Sequence, residues 1–216
     1  MIDLHTHTLL SDGCLLPAEL VRRAVVAGYK AIALTDHVDH SNIDATIEAL
    51  ARVSEVLNRY WDIFVIPGVE ITHVPVEVYP EMVKHARARG AGIVIGHGES
   101  PVEPVVPGTN EAAIRAGVDI LAHPGDITRK EAALAAEETV YLEITTREGH
   151  CRGNAHVFDI ASEAGAPMVL NTDSHSPADL MSHELIDRTL GSLTQNSDIK
   201  EAILRNSETI VFRVRK

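Results

Sequence analysis

Short apolar runs alternate along the chain with longer segments in which apolar residues recur at helical spacing, and Gly, Pro or Asp stand at the joins. Alternation of this kind is typical of consecutive β/α units. The pattern predicts seven strands in sequence and an eighth near the end of the chain. The predicted strands are residues 2–4, 31–34, 64–66 continuing into 69–71, 93–95, 119–122, 140–144, 168–171 and 210–214.

The segments between the strands carry the signals of helix starts and stops. Pro17 stands in the first turn of the first segment, where its fixed φ favours a helix. Gly28, Gly90, Gly117 and Gly165 each follow a helical segment, as the left-handed residue after a helix does. The predicted helices are residues 17–27, 43–60, 78–89, 111–116, 130–137, 154–164 and 198–205.

Seven strands that alternate with helices favour one parallel sheet, either open or closed into a barrel. We favour closure, because polar residues follow nearly every strand, as around a barrel mouth, whereas an open sheet gathers its ligand at one switch point. The length of 216 residues predicts a single domain over 1–216. Residues 98–108 contain three prolines and predict a long surface loop, while 209–216 are read as an edge strand or a pairing surface.

Composition narrows the class of protein. Apolar residues make up 45% and charged residues 23%, which is typical of globular proteins. The net charge of -12 and the aromatic content of 4% disfavour binding of long nucleic acid. Cys14 and Cys151 stand too far apart for a disulfide framework or a thiolate zinc site. With no apolar run near the roughly 18 residues of a membrane span and no leader pattern in residues 1–7, we expect a cytoplasmic protein without a membrane partner; the oligomeric state stays open.

Histidine is the abnormal count, with 12 residues, many of them at the ends of apolar runs. The other histidines, His73 included, are assigned to surface or helix positions, but six strands deliver a histidine or carboxylate to the same end. Gathering these groups in one cleft is costly unless cations bind them. Since a catalytic zinc takes three protein ligands, nine groups indicate three ions, with a glutamate able to bridge. The candidate metal ligands are His5, His7, Asp12, His37, Glu70, His97, His123, Asp173 and His175.

Together these residues resemble the motifs of the polymerase and histidinol phosphatase (PHP) superfamily, over residues 3–177. The resemblance implies an α/β fold, a distorted (β/α)7 TIM-like barrel, with a trinuclear metal cluster at the C-terminal face of the strands. The matching motifs are His5-x-His7, Ser11-Asp12-Gly13, Thr35-Asp36-His37, Gly68-Val69-Glu70, His97, Ala122-His123-Pro124 and Thr172-Asp173-Ser174-His175.

The resemblance also implies how up to three divalent ions share these ligands. Mixed imidazole and carboxylate suits Zn, Mn or Fe alike, so the element stays open. Some relatives carry a histidine where this chain has Asp12, which makes the third site here richer in oxygen. The implied sets are His5, His7, Glu70 and Asp173 for the first ion, Glu70, His97 and His123 for the second, and Asp12, His37 and His175 for the third.

The expected activity is metal-dependent hydrolysis of a small phosphomonoester, either histidinol-phosphate-like or a nucleotide phosphate. Metal coordination lowers the pKa of water to about 7, so a metal-activated hydroxide is the expected nucleophile. Arg147 and Arg152, after the sixth strand, are candidate phosphate-binding residues, although each is also explained as a solvated loop arginine. Asp36 and His150 are candidate proton donors, and Asp36 serves equally well to orient His37.

Two other functions stay open at this point. An amidohydrolase-like enzyme that cleaves a C–N or lactone bond shares the H-x-H pattern, but this chain has no lysine at a strand end to be carbamylated as a metal bridge. A non-catalytic metal-binding module would be expected to lack ligands, whereas all nine positions are filled here.

Overall fold

The computed structural model describes residues 1–215, and within them eight strands alternate with eight α-helices. None of these helices is both long and apolar enough to cross a bilayer. The strands are β1 Ile2–Asp3, β2 Ala31–Leu34, β3 His37–Val38, β4 Phe64–Ile71, β5 Ile93–His97, β6 Ile120–Ala122, β7 Tyr141–Thr145 and β8 Met168–Asn171. The helices are α1 Pro17–Val26, α2 Ile43–Tyr60, α3 Tyr79–Ala88, α4 Thr109–Ala116, α5 Arg129–Glu138, α6 Asn154–Ala164, α7 His183–Leu193 and α8 Ser197–Val214.

Seven of the strands form a nearly closed barrel. They pair in parallel in the order β1-β2-β4-β5-β6-β7-β8, and the short β3 pairs with the end of β4. The first and last strands meet at their ends, where Leu4 N donates to Asn171 Oδ1 (2.9 Å) and His7 N donates to Ser174 O (2.8 Å). The α/β barrel predicted from the sequence is therefore confirmed, and all strands end at one face.

The two ends of the barrel differ in chemistry. Inside the barrel, Leu4, Ile66 and Ile93 belong to a fully apolar cluster that also takes in Ile210 and Val211 of α8. At the N-terminal end of the strands, the guanidinium of Arg213 on α8 pairs with the carboxylate of Asp119, which directly precedes β6. Helix α8 thus closes the N-terminal end of the barrel and leaves the C-terminal end for polar side chains.

The strand predicted over 210–214 is wrong. These residues form the last part of α8, because Ile203, Ser207, Ile210 and Val211 fall on one buried helical face. The β-branched run Thr-Ile-Val suggested a strand from propensity alone, which tertiary burial overrides. The edge strand or pairing surface predicted over 209–216 is helical in its described part, and Lys216 lies outside the described residues.

Helix α7 and strand β3 were missing from the sequence prediction. In α7 the hydrogen bond from Leu185 N to the Ser182 hydroxyl (3.1 Å) caps the helix, but only Ile186 and Leu190 are buried, so the apolar periodicity is short. The helix predicted over 198–205 extends to Val214. The other predicted elements are present, with ends within two residues of the prediction, and 64–71 is one continuous strand.

The packing of Ile210 and Val211 of α8 against the barrel interior makes a testable contribution to stability. We expect Ile210→Ala to lower the free energy of unfolding by about 2–5 kcal/mol, since the side chain is fully buried and truncation leaves a cavity. Urea denaturation of the full chain measures this change. Substitution of the neighbouring exposed residue, Thr209→Ala, should change the same free energy by about 0.5 kcal/mol or less. Equal effects of both substitutions would contradict a stabilising role for the buried face of α8.

Candidate metal centre

The chain after β1 carries two imidazoles into the barrel mouth. His5 and His7 point to the same side because alternate residues of an extended chain share a face, and both are completely buried. Thr6, between them, points the other way and donates its hydroxyl to Ala33 O (2.6 Å). The carboxylate of Asp3 accepts from the hydroxyl of Thr172 (2.6 Å), which ties this segment to the end of β8. The first and last strands therefore present their polar ends to one point.

Glu70, near the end of β4, lies at the centre of the cluster. Its Oε2 is 2.8 Å from His37 Nδ1, 3.3 Å from His5 Nε2 and 3.5 Å from His7 Nε2. Its Oε1 is 3.7 Å from His123 Nε2. Within residues 1–215 neither oxygen accepts a hydrogen bond of good geometry. A buried carboxylate without hydrogen-bond partners is costly, and a cation shared with the facing imidazoles would remove that cost.

Asp173 and Asp12 extend the cluster in two directions. Asp173 Oδ1 is 3.1 Å from His7 Nε2, and this oxygen also accepts no hydrogen bond within residues 1–215. Asp12 Oδ1 is 3.1 Å from His175 Nε2 and 3.6 Å from His37 Nε2. Two ligand atoms on one zinc ion lie about 3.0–3.4 Å apart, given bonds of about 2.1 Å. The separations in the cluster are of the size that shared ions require.

All nine predicted ligands lie in overlapping groups whose ligand atoms are within 4.8 Å of one another. The sharing of Glu70, His5, His7 and His123 between groups makes the cluster continuous rather than three separate sites. The groups are His5, His7 and Glu70; His5, His123 and Asp173; Glu70, His97 and His123; and His7, Asp12, His37 and His175.

Burial and neighbouring charges shift the pKa values of groups in the cluster in opposite directions. Burial raises the pKa of Asp173 to about 6. Burial and the nearby His37 hold the pKa of His7 well below its usual range. Burial would also lower the pKa of His5, but the carboxylates of Glu143 and Glu70 raise it well above normal. Since metal ligands must be deprotonated, binding of divalent ions to this cluster is expected to release protons.

Hydrogen bonds outside the cluster orient its imidazoles. Glu143, from β7, accepts from His5 Nδ1 (2.9 Å), Asn171 Nδ2 (2.9 Å) and His123 N (3.1 Å). His175 Nδ1 donates to Asp173 O (2.9 Å). In His5 and His175 the Nε2 lone pair is thereby left to face the cluster, which is how proteins fix the ligand atom of a histidine.

Two of the nine candidate ligands have left-handed backbones. Asp173 has φ 52° and His123 has φ 29°. Such conformations cost about 1–3 kcal/mol in residues other than glycine and persist only where the surroundings impose them. Here they turn the side chains that follow β8 and β6 into the mouth. Strain at this point is consistent with a functional cluster.

The carboxylate of Asp36 is committed to the loop that carries Asp12. It is completely buried and accepts from Thr8 N (2.8 Å), the Thr8 hydroxyl (2.9 Å) and the Ser11 hydroxyl (2.7 Å). These bonds shape the turn immediately before Asp12. The geometry favours a positioning role for Asp36 over proton donation.

The two arginines predicted to bind phosphate occupy different settings. Arg147 pairs with Asp179 (3.4 Å) and lines a cavity of about 320 Å³, together with Thr172 and Arg188. Arg152 is exposed on the short 3-10 helix His150–Gly153. The third candidate of this segment, His150, is buried, with its ring 4.3 Å from that of His123.

Four polar residues beside the cluster were missed by sequence reasoning. Asp3 and Glu143 each stand as a single charge inside an apolar strand, a signal that points to a buried hydrogen-bonded carboxylate. Glu103 lies in the loop after β5, where no periodicity marks it. His73, assigned to a surface or helix position, is exposed as expected, but its ring lies 5.0 Å from that of His97 and its φ is 52°.

The chain is similar to known proteins in sequence and in fold. Residues 3–97 match the PHP domain family. The chain is 46% identical over 215 residues to the uncharacterized protein MJ1295 of Methanocaldococcus jannaschii, which covers 98% of this chain and 99% of that protein. It is 44% identical over 72 residues to the 5'-3' exoribonuclease Rnm of Escherichia coli, which is 33% of this chain and 22% of that enzyme. A chain in the structure of an archaeal ribonuclease P with mature tRNA shares the fold, with a TM-score of 0.73 at 18% identity over 99% of this chain and 91% of that one.

The orienting role of Glu143 yields a prediction. We expect Glu143→Gln to weaken binding of Mn²⁺ or Zn²⁺ by about 10–100-fold, because the amide holds the imidazole of His5 less firmly and lowers its basicity. Isothermal titration of chelator-treated protein measures the affinity. The exposed Glu138→Gln removes the same charge from α5 and should bind metal as the unaltered chain does. Equal affinities for all three proteins would contradict the role of Glu143.

Proposed function

The chain belongs to the PHP family of metal-dependent phosphoesterases, and we propose that it hydrolyses a small phosphomonoester at the mouth of the barrel. The observation that carries the proposal is the cluster of six histidines and three carboxylates, six of which are buried, while His37 and His175 are half-buried and Asp12 is exposed. Within it, oxygens of Glu70 and Asp173 lack hydrogen-bond partners among residues 1–215. Such a cluster fits divalent cations, and a cationic pocket in turn attracts a phosphate dianion.

We further propose that the cluster holds up to three ions of Zn, Mn or Fe. Glu70 reaches imidazoles through both of its oxygens, which supports it as the bridge between two ions. Asp12, His37 and His175 lie together at the more exposed side of the cluster, which supports them as the ligands of the third ion. Ions bound there would act as Lewis acids toward a phosphoryl oxygen and lower the pKa of water.

The cavity lined by Arg147 adjoins the cluster rather than containing it, since its lining includes Thr172, the neighbour of Asp173, but none of the nine candidate ligands. Its volume of about 320 Å³ is at the lower end of ligand pockets, which run from about 300 to 1,000 Å³. Asp179, which pairs with Arg147, also accepts from His175 N (3.0 Å), so the arginine is linked to the cluster through one carboxylate. We propose that Arg147 binds the phosphate or an adjacent anionic group of the substrate, with Arg152 as a second contact at the same mouth.

His150 is the better placed of the two candidate proton donors. Its Nδ1 is hydrogen-bonded to the Ser100 hydroxyl (2.6 Å), and its Nε2 is 3.4 Å from Glu103 Oε1 at the mouth. Asp36, by contrast, is fully engaged with the loop before Asp12. We propose that His150 protonates the leaving alkoxide, since a histidine held at a carboxylate can carry and return a proton.

The proposed activity predicts phosphate release from a panel of phosphomonoesters. Protein loaded with Mn²⁺ or Zn²⁺ should hydrolyse at least one of histidinol phosphate, nucleoside monophosphates and nucleoside 3′,5′-bisphosphates, as measured by inorganic phosphate. Asp173→Asn is the control, because asparagine tolerates the left-handed backbone but removes the charge. It should lower the rate by about 100-fold or more, the scale of losing a major electrostatic contribution. Silence across the panel from protein shown to hold metal would contradict a phosphomonoesterase.

The proposed role of Arg147 predicts a separate kinetic effect. Arg147→Ala should lower kcat/KM for the best substrate by about 10–100-fold, since a charged hydrogen-bonding pair of about 1.5–3 kcal/mol is lost. Arg147→Lys should recover only part of this loss, because lysine lacks the planar fork. Steady-state kinetics on the purified variants measures both effects. Unchanged kcat/KM in Arg147→Ala would remove this residue from the site.

A further inference from the structure

A carboxylate that is not among the nine predicted ligands reaches the barrel mouth from a loop. Glu103 lies in the mouth loop, which we define as residues 98–108, between β5 and α4. Its Oε2 is 2.9 Å from His97 Nε2 and 3.4 Å from His73 Nε2, and its Oε1 is 3.4 Å from His150 Nε2. The ligand atoms of His73, His97 and Glu103 lie close enough together to hold one ion.

The mouth loop is fixed against the barrel at both ends. Glu99 Oε1 accepts from Gly108 N (2.9 Å), which closes the base of the loop. The Ser100 hydroxyl is hydrogen-bonded to His150 Nδ1 (2.6 Å), which joins the loop to the segment after β7. Gly125 packs against the start of the mouth loop, because a Cβ at this position would be 2.1 Å from Glu99 O. Glu103 is therefore held at the mouth by contacts that do not involve its own side chain.

The geometry of His97 brings Glu103 within reach of the cluster. His97 Nδ1 donates to Gly98 O (3.1 Å), so the lone pair of a neutral imidazole lies on Nε2. That nitrogen is 2.9 Å from Glu103 Oε2. His97 belongs both to the group with Glu70 and His123 and to the group with His73 and Glu103, so it links the two. The separation of 2.9 Å between His97 Nε2 and Glu103 Oε2 lies just below the range of about 3.0–3.4 Å for two ligands on one ion, so a small outward shift of the carboxylate would admit a shared ion.

We propose that Glu103 is an additional metal ligand, which the mouth loop supplies to the ion held by Glu70, His97 and His123. The inference rests on the proposed function, because it requires a divalent ion in that group. Coordination by Glu103 adds a negative charge to the second ion and couples its binding to the position of the loop. A bound ion would then tie residues 98–108 to the mouth. His73, whose Nε2 is 3.4 Å from Glu103 Oε2, lies beside the same carboxylate.

The test compares metal binding by Glu103→Gln with that of a matched control. Glu77→Gln removes the same charge from an exposed position in the short 3-10 helix Val76–Val78. Isothermal titration of Mn²⁺ into the chelator-treated full chain measures affinity and stoichiometry. We expect Glu103→Gln to weaken one class of sites by about tenfold or more, on the scale of losing a ligand interaction, while Glu77→Gln matches the unaltered chain.

Hydrogen exchange separates coordination from a merely structural role. In the unaltered chain Mn²⁺ should slow amide exchange within 98–108, and in Glu103→Gln this protection should be lost. Without metal, the two proteins should have the same Tm and the same exchange in the loop. A lower metal-free Tm in Glu103→Gln with unchanged Mn²⁺ affinity would overturn the proposal.

The other outcomes distinguish this inference from the function beneath it. Equal or tighter Mn²⁺ binding by Glu103→Gln, with the unaltered chain binding metal, would overturn the role of Glu103 and leave the phosphoesterase proposal standing. Absence of Mn²⁺, Zn²⁺ and Fe²⁺ binding by the unaltered chain would overturn both.

Discussion

The arrangement of the barrel mouth depends on two carboxylates that are buried among imidazoles. Oxygens of Glu70 and Asp173 face ring nitrogens at 2.8–3.8 Å, yet three of the four accept no hydrogen bond of good geometry within residues 1–215. An unpaired buried charge costs several kcal/mol. A cation at this point changes the cost into a favourable interaction, and the surroundings of the cluster are arranged for it. Glu143 accepts a hydrogen bond from His5 Nδ1 and so orients this ring, and the left-handed backbone of His123 turns its ring into the mouth.

The barrel makes such a cluster possible by separating its two ends. Parallel strands bring every C-terminal end to one face, so residues as distant in sequence as His7 and Ser174 become hydrogen-bonded neighbours. The opposite end is closed by the apolar side chains of Ile210 and Val211, with the ion pair of Arg213 and Asp119 beside them. The buried carboxylate at this end is paired with arginine, whereas the carboxylate oxygens that lack hydrogen-bond partners within residues 1–215 lie at the mouth.

The sequence predicts the cluster far better than its surroundings, for physical reasons. A β/α repeat converts strand ends into a shared face, so His97 and His123 can be placed together without knowledge of contacts. Glu143 was detectable as a lone charge in an apolar strand. Glu103 was not, because its place depends on tertiary contacts of a loop that has no periodicity. The run at 210–214 misled because β-branched residues favour strands unless a buried helical face overrides that preference.

The most direct test of the central claim is anomalous diffraction from crystals of the full chain grown with Mn²⁺, recorded at the manganese absorption edge. The cluster predicts anomalous peaks within the mouth, with one ion on each side of Glu70 and a further peak beside Asp12 and His175. Manganese peaks elsewhere on the protein and none within bonding distance of Glu70 would contradict the claim that this buried carboxylate exists to bind metal.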